Sequence, residues 1–160
     1  MSGAAGRFLE AAARADLRVD VRHFLEGTRT AEDAARAIGC DVAQIVKSLV
    51  FLADEEPILA LTSGRNRVDV GRLASVTGSS AVRKATAEEV RAATGYAIGG
   101  TPPFGHTRAL RSFVDEALMG FDVVWAAAGT PAGVFPLTPD ELVRVSGGSV
   151  ASFVETRSAG

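Results

Sequence analysis

Apolar and polar positions follow two periods along this chain. VDVRHF, residues 19–24, alternates as a half-buried strand does. DVAQIVKSLVFLA and ILALTS are apolar runs separated by DEEP, which predicts two strands joined by a tight antiparallel turn. Helical stretches carry their own stops and starts. Gly6 to Ala15 is alanine-rich, and TRTAEDAARAIG has Thr30 as N-cap, Glu32 and Asp33 in its first turn and Gly39 as stop. RVDVGRLASVTG predicts a helix ending at Gly78. TAEEVRAATG is capped by Thr86 and closed by Gly95, and TPDELVRVSGG is capped by Thr138 with Pro139 at its first position. AVRKA, the stretches around 109–114, 122–127 and 133–137, and SVASFVE complete the strand candidates.

Short strands interspersed with short helices, one hairpin among them, predict a mixed sheet with helices packed around it rather than a doubly wound sheet. No repeat or linker divides the chain, so residues 1–160 are expected to form a single domain. The N-terminal stretch carries Arg7, Glu10, Arg14 and Asp16, and no run of eighteen apolar residues exists. Neither a signal peptide nor a membrane span is expected, and a soluble cytoplasmic protein is.

The hydrophobic fraction of 47% is enough for a real core, and the formal net charge of −2 disfavours a protein that wraps a nucleic-acid backbone. Contact with one end of an RNA stays open. Cys40 is the only cysteine and His23 and His106 the only histidines, a poor inventory for a disulfide, a metal or redox chemistry. Of the seventeen basic residues only Lys47 and Lys84 are lysine. A compact amine with an adjustable pKa does what an always-charged guanidinium cannot.

GxGxxG, P-loop, GxSxG and HExxH motifs are all absent, which removes the common phosphate, serine-hydrolase and zinc-protease signatures. Two features stand out. Lys47 lies within QIVKSLVF, 44–51, pointing by strand alternation the same way as Ile45, Leu49 and Phe51. Its amine either snorkels out at an edge and blocks aggregation, or sits desolvated in a cleft facing an anionic or developing-oxyanion group. The second feature is GYAIGGTPPFGH, 95–106, with four glycines and adjacent prolines. It is either a multiple turn capping a helix, or a stiff bend that approaches a ligand and leaves the Gly100 and Thr101 N–H groups free to donate.

TAEDAARAIGCDVAQIVKSLVF, SGRNRVDVGRLA, TGYAIGGTPPFGH, FVDEAL and VVWAAAGTPAGVFPLTPDELVRVSGG resemble, in order and over about residues 19–154, successive blocks of the YbaK and prolyl-tRNA synthetase-associated domain family. IVKSLVF and GGTPPFG carry the specificity of the match. The resemblance implies an α+β fold, with a mixed, mostly antiparallel, barrel-like sheet of about six or seven strands surrounded by short helices. It implies a trans-editing aminoacyl-tRNA deacylase, which cleaves the ester between a wrong amino acid and the 3′ end of a tRNA, typically that for proline. No cofactor or metal is implied. The implied catalytic residue is Lys47, as an orienting electrophile. The implied substrate-binding set is Phe24, Gly99, Gly100, Thr101, Pro102, Pro103, Phe104, Ala127 and Gly129. The acceptor end of aminoacyl-tRNA is the expected partner, with prolyl-tRNA synthetase as a candidate second one.

The branch of that family that removes cysteine has tyrosine and serine where this sequence has Phe24 and Ala127. An apolar lining suits a small aliphatic or otherwise non-thiol side chain better. Loss of those polar groups also leaves open a non-catalytic protein of the same fold that binds aminoacyl-tRNA or a small anionic ligand. Arg65, Arg67, Arg72, Arg83, Lys84 and Arg108 are the candidates for phosphate contacts. His106 and Cys40 are expected to be structural, Asp115 to cap a turn or helix, and Trp125 to lie in the core.

Overall fold

The computed structural model describes residues 3–24 and 30–156. Helices start where the sequence supplies an oxygen to their first free N–H groups. Thr30, Thr86 and Thr138 accept from the N–H of Asp33, Glu89 and Glu141 at the heads of α2 (Ala31–Ile38), α4 (Ala87–Thr94) and α5 (Pro139–Ser146). Asp69 does the same for α3 (Val70–Thr77), while α1 (Ala4–Arg14) has no side-chain cap. Glycines in the left-handed conformation end α2 to α5.

The strands form two sheets. Their labels are β1 (Arg22–His23), β2 (Val46–Ala53), β3 (Glu56–Ser63), β4 (Val82–Lys84), β5 (Arg111–Asp115), β6 (Val124–Ala127), β7 (Gly133–Leu137) and β8 (Ser149–Ala151). β2 and β3 pair from Val46↔Ser63 to Ala53↔Glu56, and the larger sheet runs β4-β2-β3-β5-β8 with its β3–β5 and β5–β8 contacts parallel. The smaller sheet runs β1-β7-β6, all antiparallel. A parallel bridge between Ile45 and Trp125 joins the two.

The expected mixed α+β fold is present, but barrel-like describes it only loosely, since the eight strands among the described residues form two sheets that do not close. The expected strand 19–24 shrinks to β1, because its partner β7 pairs only through Gly133 and Val134. SVASFVE stops at Ala151, after which Phe153 turns fully into the core.

Side-chain alternation along β2 divides the interior. Val46, Val50 and Leu52 join the core between the sheets with Leu59, Leu61, Val124, Ala126 and Phe135, where Phe8 of α1 also packs. Phe51 and Ala53 point the other way, against Leu73 of α3 and Phe153. A third cluster gathers Ala34 and Ala35 of α2 with Ile45, Trp125 and Val134, and Phe24 packs against it. No helix among the described residues is long and apolar enough to cross a membrane.

Candidate active site

The cavity begins with an unpaired stretch of strand. On one side β2 pairs with β3 along its whole length, but on the other side β4 covers only Phe51 to Ala53. Beyond the bond from the Ala85 N–H to Val50 O, Val46 to Leu49 therefore run past an open gap between β4 and the Ile45–Trp125 bridge, and all of Val46 to Val50 line a cavity of about 370 Å³. Phe24, Ala34, Trp125, Ala127 and Val134 form an apolar wall, and Ile98, Gly99 and Thr101 bring in the loop after α4. This volume falls in the range of pockets that hold small ligands.

Lys47 is half-buried on the face of β2 that also carries Leu49, Phe51 and Ala53. Its ammonium does not run out to solvent as an edge lysine's would. Nζ donates to the backbone oxygen of Asn66 at 2.5 Å, and among the described residues no carboxylate forms an ion pair with it. Burial lowers the Lys47 pKa from its ordinary 10.5; the charge of Glu32 opposes that shift, Arg67 adds to it, Asp115 opposes it and Lys84 adds to it.

Asn66 is a residue that sequence reasoning missed. Its side-chain amide donates to Asp115 Oδ2 at 2.9 Å, which fixes the loop whose carbonyl holds Lys47. Asp115 is buried, and it also accepts from the N–H of Ser63 at 3.1 Å and of Ala117 at 3.0 Å. The capping role expected of Asp115 is present at Ala117. Its other carboxylate oxygen ties the end of β3 to the Asn66 loop. A carbonyl that any residue could supply leaves no trace in sequence.

The glycine and proline loop is only partly at the cavity. Gly99, with φ 86°, and Thr101 line it, whereas Gly100, Pro102, Pro103 and Phe104 do not. Gly100 turns toward the β6–β7 turn, where an added Cβ would come within 2.8 Å of Thr130 Cα. Its N–H donates to Ala97 O at 3.0 Å, which corrects the expectation that it is free. The Thr101 N–H donates to no group among the described residues, and its hydroxyl bonds Ala97 O at 3.1 Å. Pro102 and Pro103 are buried, and Phe104 packs on Phe8 and Phe135 with ring centroids 5.6 and 6.4 Å away. Phe104 is thus a core residue rather than a lining one. Gly129, with φ 100°, lies against α1, where a Cβ would meet Ala4 O at 2.9 Å, and it too is away from the cavity. The close approaches at Gly100 and Gly129 are to other protein backbone, not to open space.

His106 Nε2 donates to Pro102 O at 2.7 Å and clasps the loop; burial lowers its pKa below the ordinary 6.5, partly offset by that bond. Cys40 is half-buried beside the α2 cluster, with its thiol pKa raised by burial. Trp125 is buried as expected and also forms cavity wall, with the Arg22 guanidinium 4.9 Å from its ring centroid. Lys47, Phe24, Gly99, Thr101 and Ala127 thus meet at one cavity.

Residues 25–145 match the aminoacyl-tRNA editing domain family. A crystal structure of a candidate trans-editing enzyme for prolyl tRNA synthetase superposes with a TM-score of 0.92 at 44% identity, covering 98% of this chain and 99% of that one. The Bacillus subtilis (strain 168) protein YwhH is 34% identical over 79% of this chain and 81% of its own length. A proline–tRNA ligase of Nitratidesulfovibrio vulgaris (strain DP4) is 33% identical over 66% of this chain, which corresponds to 18% of the ligase. With the match spanning most of the sequence and the fold shared from end to end with such a structure, this chain belongs to the aminoacyl-tRNA editing domain family.

Proposed function

We propose that this protein is a trans-editing aminoacyl-tRNA deacylase acting on tRNA for proline that carries a small, non-thiol, non-cognate amino acid. The observation that carries the reading is that Lys47 lines one largely apolar cavity together with Gly99 and Thr101 of the loop after α4. Its family and its likeness to a candidate prolyl trans-editing enzyme support the reaction class. Phe24, Trp125 and Ala127 present no side-chain hydroxyl on the apolar wall, which supports an aliphatic side chain there; the hydroxyl residues of the lining are Thr30, Ser48 and Thr101.

In this reaction a water oxygen attacks the ester carbonyl carbon. The C–O bond to the ribose then breaks, the ribose oxygen takes up a proton, and a free amino acid leaves. Lys47 keeps two N–H donors after bonding Asn66, and they orient the carbonyl and hold its oxygen as charge develops. The free Thr101 N–H is the loop's candidate second donor. Each such donor is typically worth about 3 kcal/mol in the transition state. No side-chain nucleophile is required, because the ester is labile and the neighbouring ribose hydroxyl can assist the water.

Purified protein and Lys47→Ala are to be compared for release of amino acid from alanyl-, cysteinyl- and seryl-tRNA for proline. Release of alanine by the wild type, with at least a hundredfold loss in the variant, is the expected result. Binding without release by either protein would replace this reading with that of a non-catalytic binding protein.

A further inference from the structure

Arg83 on β4 bonds Glu55 at 2.9 Å and Glu89 at 2.8 Å, which holds the Glu89 pKa down to about 2, and Arg65 after β3 pairs with Asp41 at 2.7 Å. Ser48 on β2 is the contrary case. Residues of an antiparallel strand turn their main-chain groups toward the partner and away from it in alternation. The Gly64 N–H donates to Ile45 O at 2.7 Å, so Ile45, Lys47 and Leu49 present theirs to β3. Val46, Ser48 and Val50 present theirs to the opposite edge, where the Ala85 N–H reaches Val50 O at 3.1 Å. In agreement, Ser63 opposite Val46 donates its N–H away from β2, to Asp115 Oδ2. Pairing with β4 begins only at Phe51, and the Ile45–Trp125 bridge closes the gap at its other end. The Ser48 N–H and C=O therefore open on the gap with no partner among the described residues, and Ser48 lines the cavity. Its Oγ is buried and equally unpartnered among those residues. Three unmet polar groups on one residue are costly beside an apolar wall, and a ligand with matching groups removes that cost.

We propose that the main chain of Ser48 binds the α-amino acyl group as one residue of an added strand. That group carries a donor and an acceptor on either side of a single carbon, N–H on the amine and C=O on the ester, as a strand residue does. Paired with Ser48, the amine donates to Ser48 O and the ester carbonyl accepts from the Ser48 N–H, which closes the two-bond ring of an antiparallel pair. What every amino acid shares is thus held by backbone. What varies is left to the apolar wall of Phe24, Trp125 and Ala127. The ligand class is an acyl group with a free α-amine, and acyl groups that lack the amine bind poorly.

The inference rests on the deacylase reading for the choice of ligand but not for the pairing itself. The test uses two hydrolysis-resistant probes, 3′-amino-3′-deoxyadenosine acylated on its 3′ nitrogen with alanine or with propionic acid, which differ only in the α-amine. Isotope-labelled full chain is titrated with each and followed by NMR at about pH 6.5, below the ordinary α-amino pKa of about 7.7–8.0. The alanyl probe is expected to bind roughly tenfold more tightly, the effect of one charge-assisted hydrogen bond. The Ser48 amide proton should move downfield with either probe, and the Ser48 carbonyl carbon only with the alanyl one. Ser48→Ala keeps both main-chain groups and should keep the preference. Equal affinities, no binding of either probe, or a preference lost in Ser48→Ala would each overturn the pairing. Release of alanine from alanyl-tRNA with the Ser48 resonances unmoved by the probes would remove the pairing and leave the hydrolase. Preference and shifts at Ser48 without such release would do the reverse.

Discussion

Lys47 donates to the backbone oxygen of Asn66, whose own side chain donates to the buried carboxylate of Asp115. The amine at the cavity is therefore positioned from β5 through a loop, and the positioning can be broken without touching the amine. Asp115→Asn replaces an oxygen that accepts from Ser63 and Asn66 with a group that can present donors to donors. An unsatisfied buried group costs about 1–3 kcal/mol, so the variant's urea midpoint should fall accordingly. Asn66→Ala keeps the carbonyl and loses only the tether. It should reduce kcat for deacylation by roughly tenfold with little change in stability, an outcome that a purely structural role would not produce.

The depressed pKa of Lys47 fixes the sign of a pH effect. Burial disfavours the ammonium, so the folded-state value lies below 10.5. In the mechanism proposed above the protonated form is the active one, so activity should be full below that value and lost as pH rises through it. Single-turnover rates, corrected for spontaneous ester hydrolysis, should show an alkaline limb centred below 10.5. Glu32→Gln removes a charge that favours the ammonium and should move the limb lower, whereas Arg67→Gln should move it higher. Asp115 and Lys84 act on the same amine and remain in both variants.

Ala127 is a small residue of the cavity wall, which Phe24 and Trp125 also line. Ala127→Val adds two carbons to that wall. A methylene in a tight apolar pocket is worth about 1–3 kcal/mol. The variant's kcat/KM should fall by roughly tenfold or more for the largest amino acid accepted, and least for alanine. A uniform loss across the tRNA panel would place the amino acid elsewhere.

Local chemistry was legible in the sequence and long-range geometry was not. Thr30, Thr86 and Thr138 announce three helix starts, because a cap needs only its own residue and the N–H groups two or three positions on. The β2–β3 hairpin was legible for the same reason, with Asp54 and Glu55 adopting the positive φ of 48° and 67° that its two-residue turn requires. Sheet closure depends on where β6 meets β2, and nothing local in WAA or QIV states that they touch through one bridge. Within the loop, composition pointed to unusual backbone control at Gly99 and Gly100, but not to its cause. Gly100 makes room for Thr130 and Pro131, a contact thirty positions away in sequence.

That contact makes Gly100 a sensitive position. A methyl at Gly100 would lie 2.8 Å from Thr130 Cα and 2.9 Å from its carbonyl carbon, so backbone has to move. Overpacking of this kind costs about 1–3 kcal/mol. Gly100→Ala should lower the urea midpoint by a corresponding amount. It should also reduce activity beyond what the stability loss explains, since Gly99 and Thr101 on either side line the cavity.

His106 gives the same loop a dependence on acid. Its ring N–H donates to Pro102 O, and burial holds its pKa below 6.5 in the folded chain. The unfolded chain therefore binds the proton first as pH falls. The stability gained by burying a neutral ring is complete above the ordinary value and declines as pH drops from 6.5 through the folded value, while the bond to Pro102 O, which favours the protonated ring, opposes part of that loss. Between about pH 7 and 5 the wild type should lose stability to urea, and His106→Asn, already weaker at pH 7, should lose less over that interval. Glu89, held down to about 2, begins to lose its contribution only as pH falls toward and below its ordinary 4.5, so the two effects separate on the pH axis. Parallel declines in the two proteins would show that burial of the His106 ring does not couple stability to protonation.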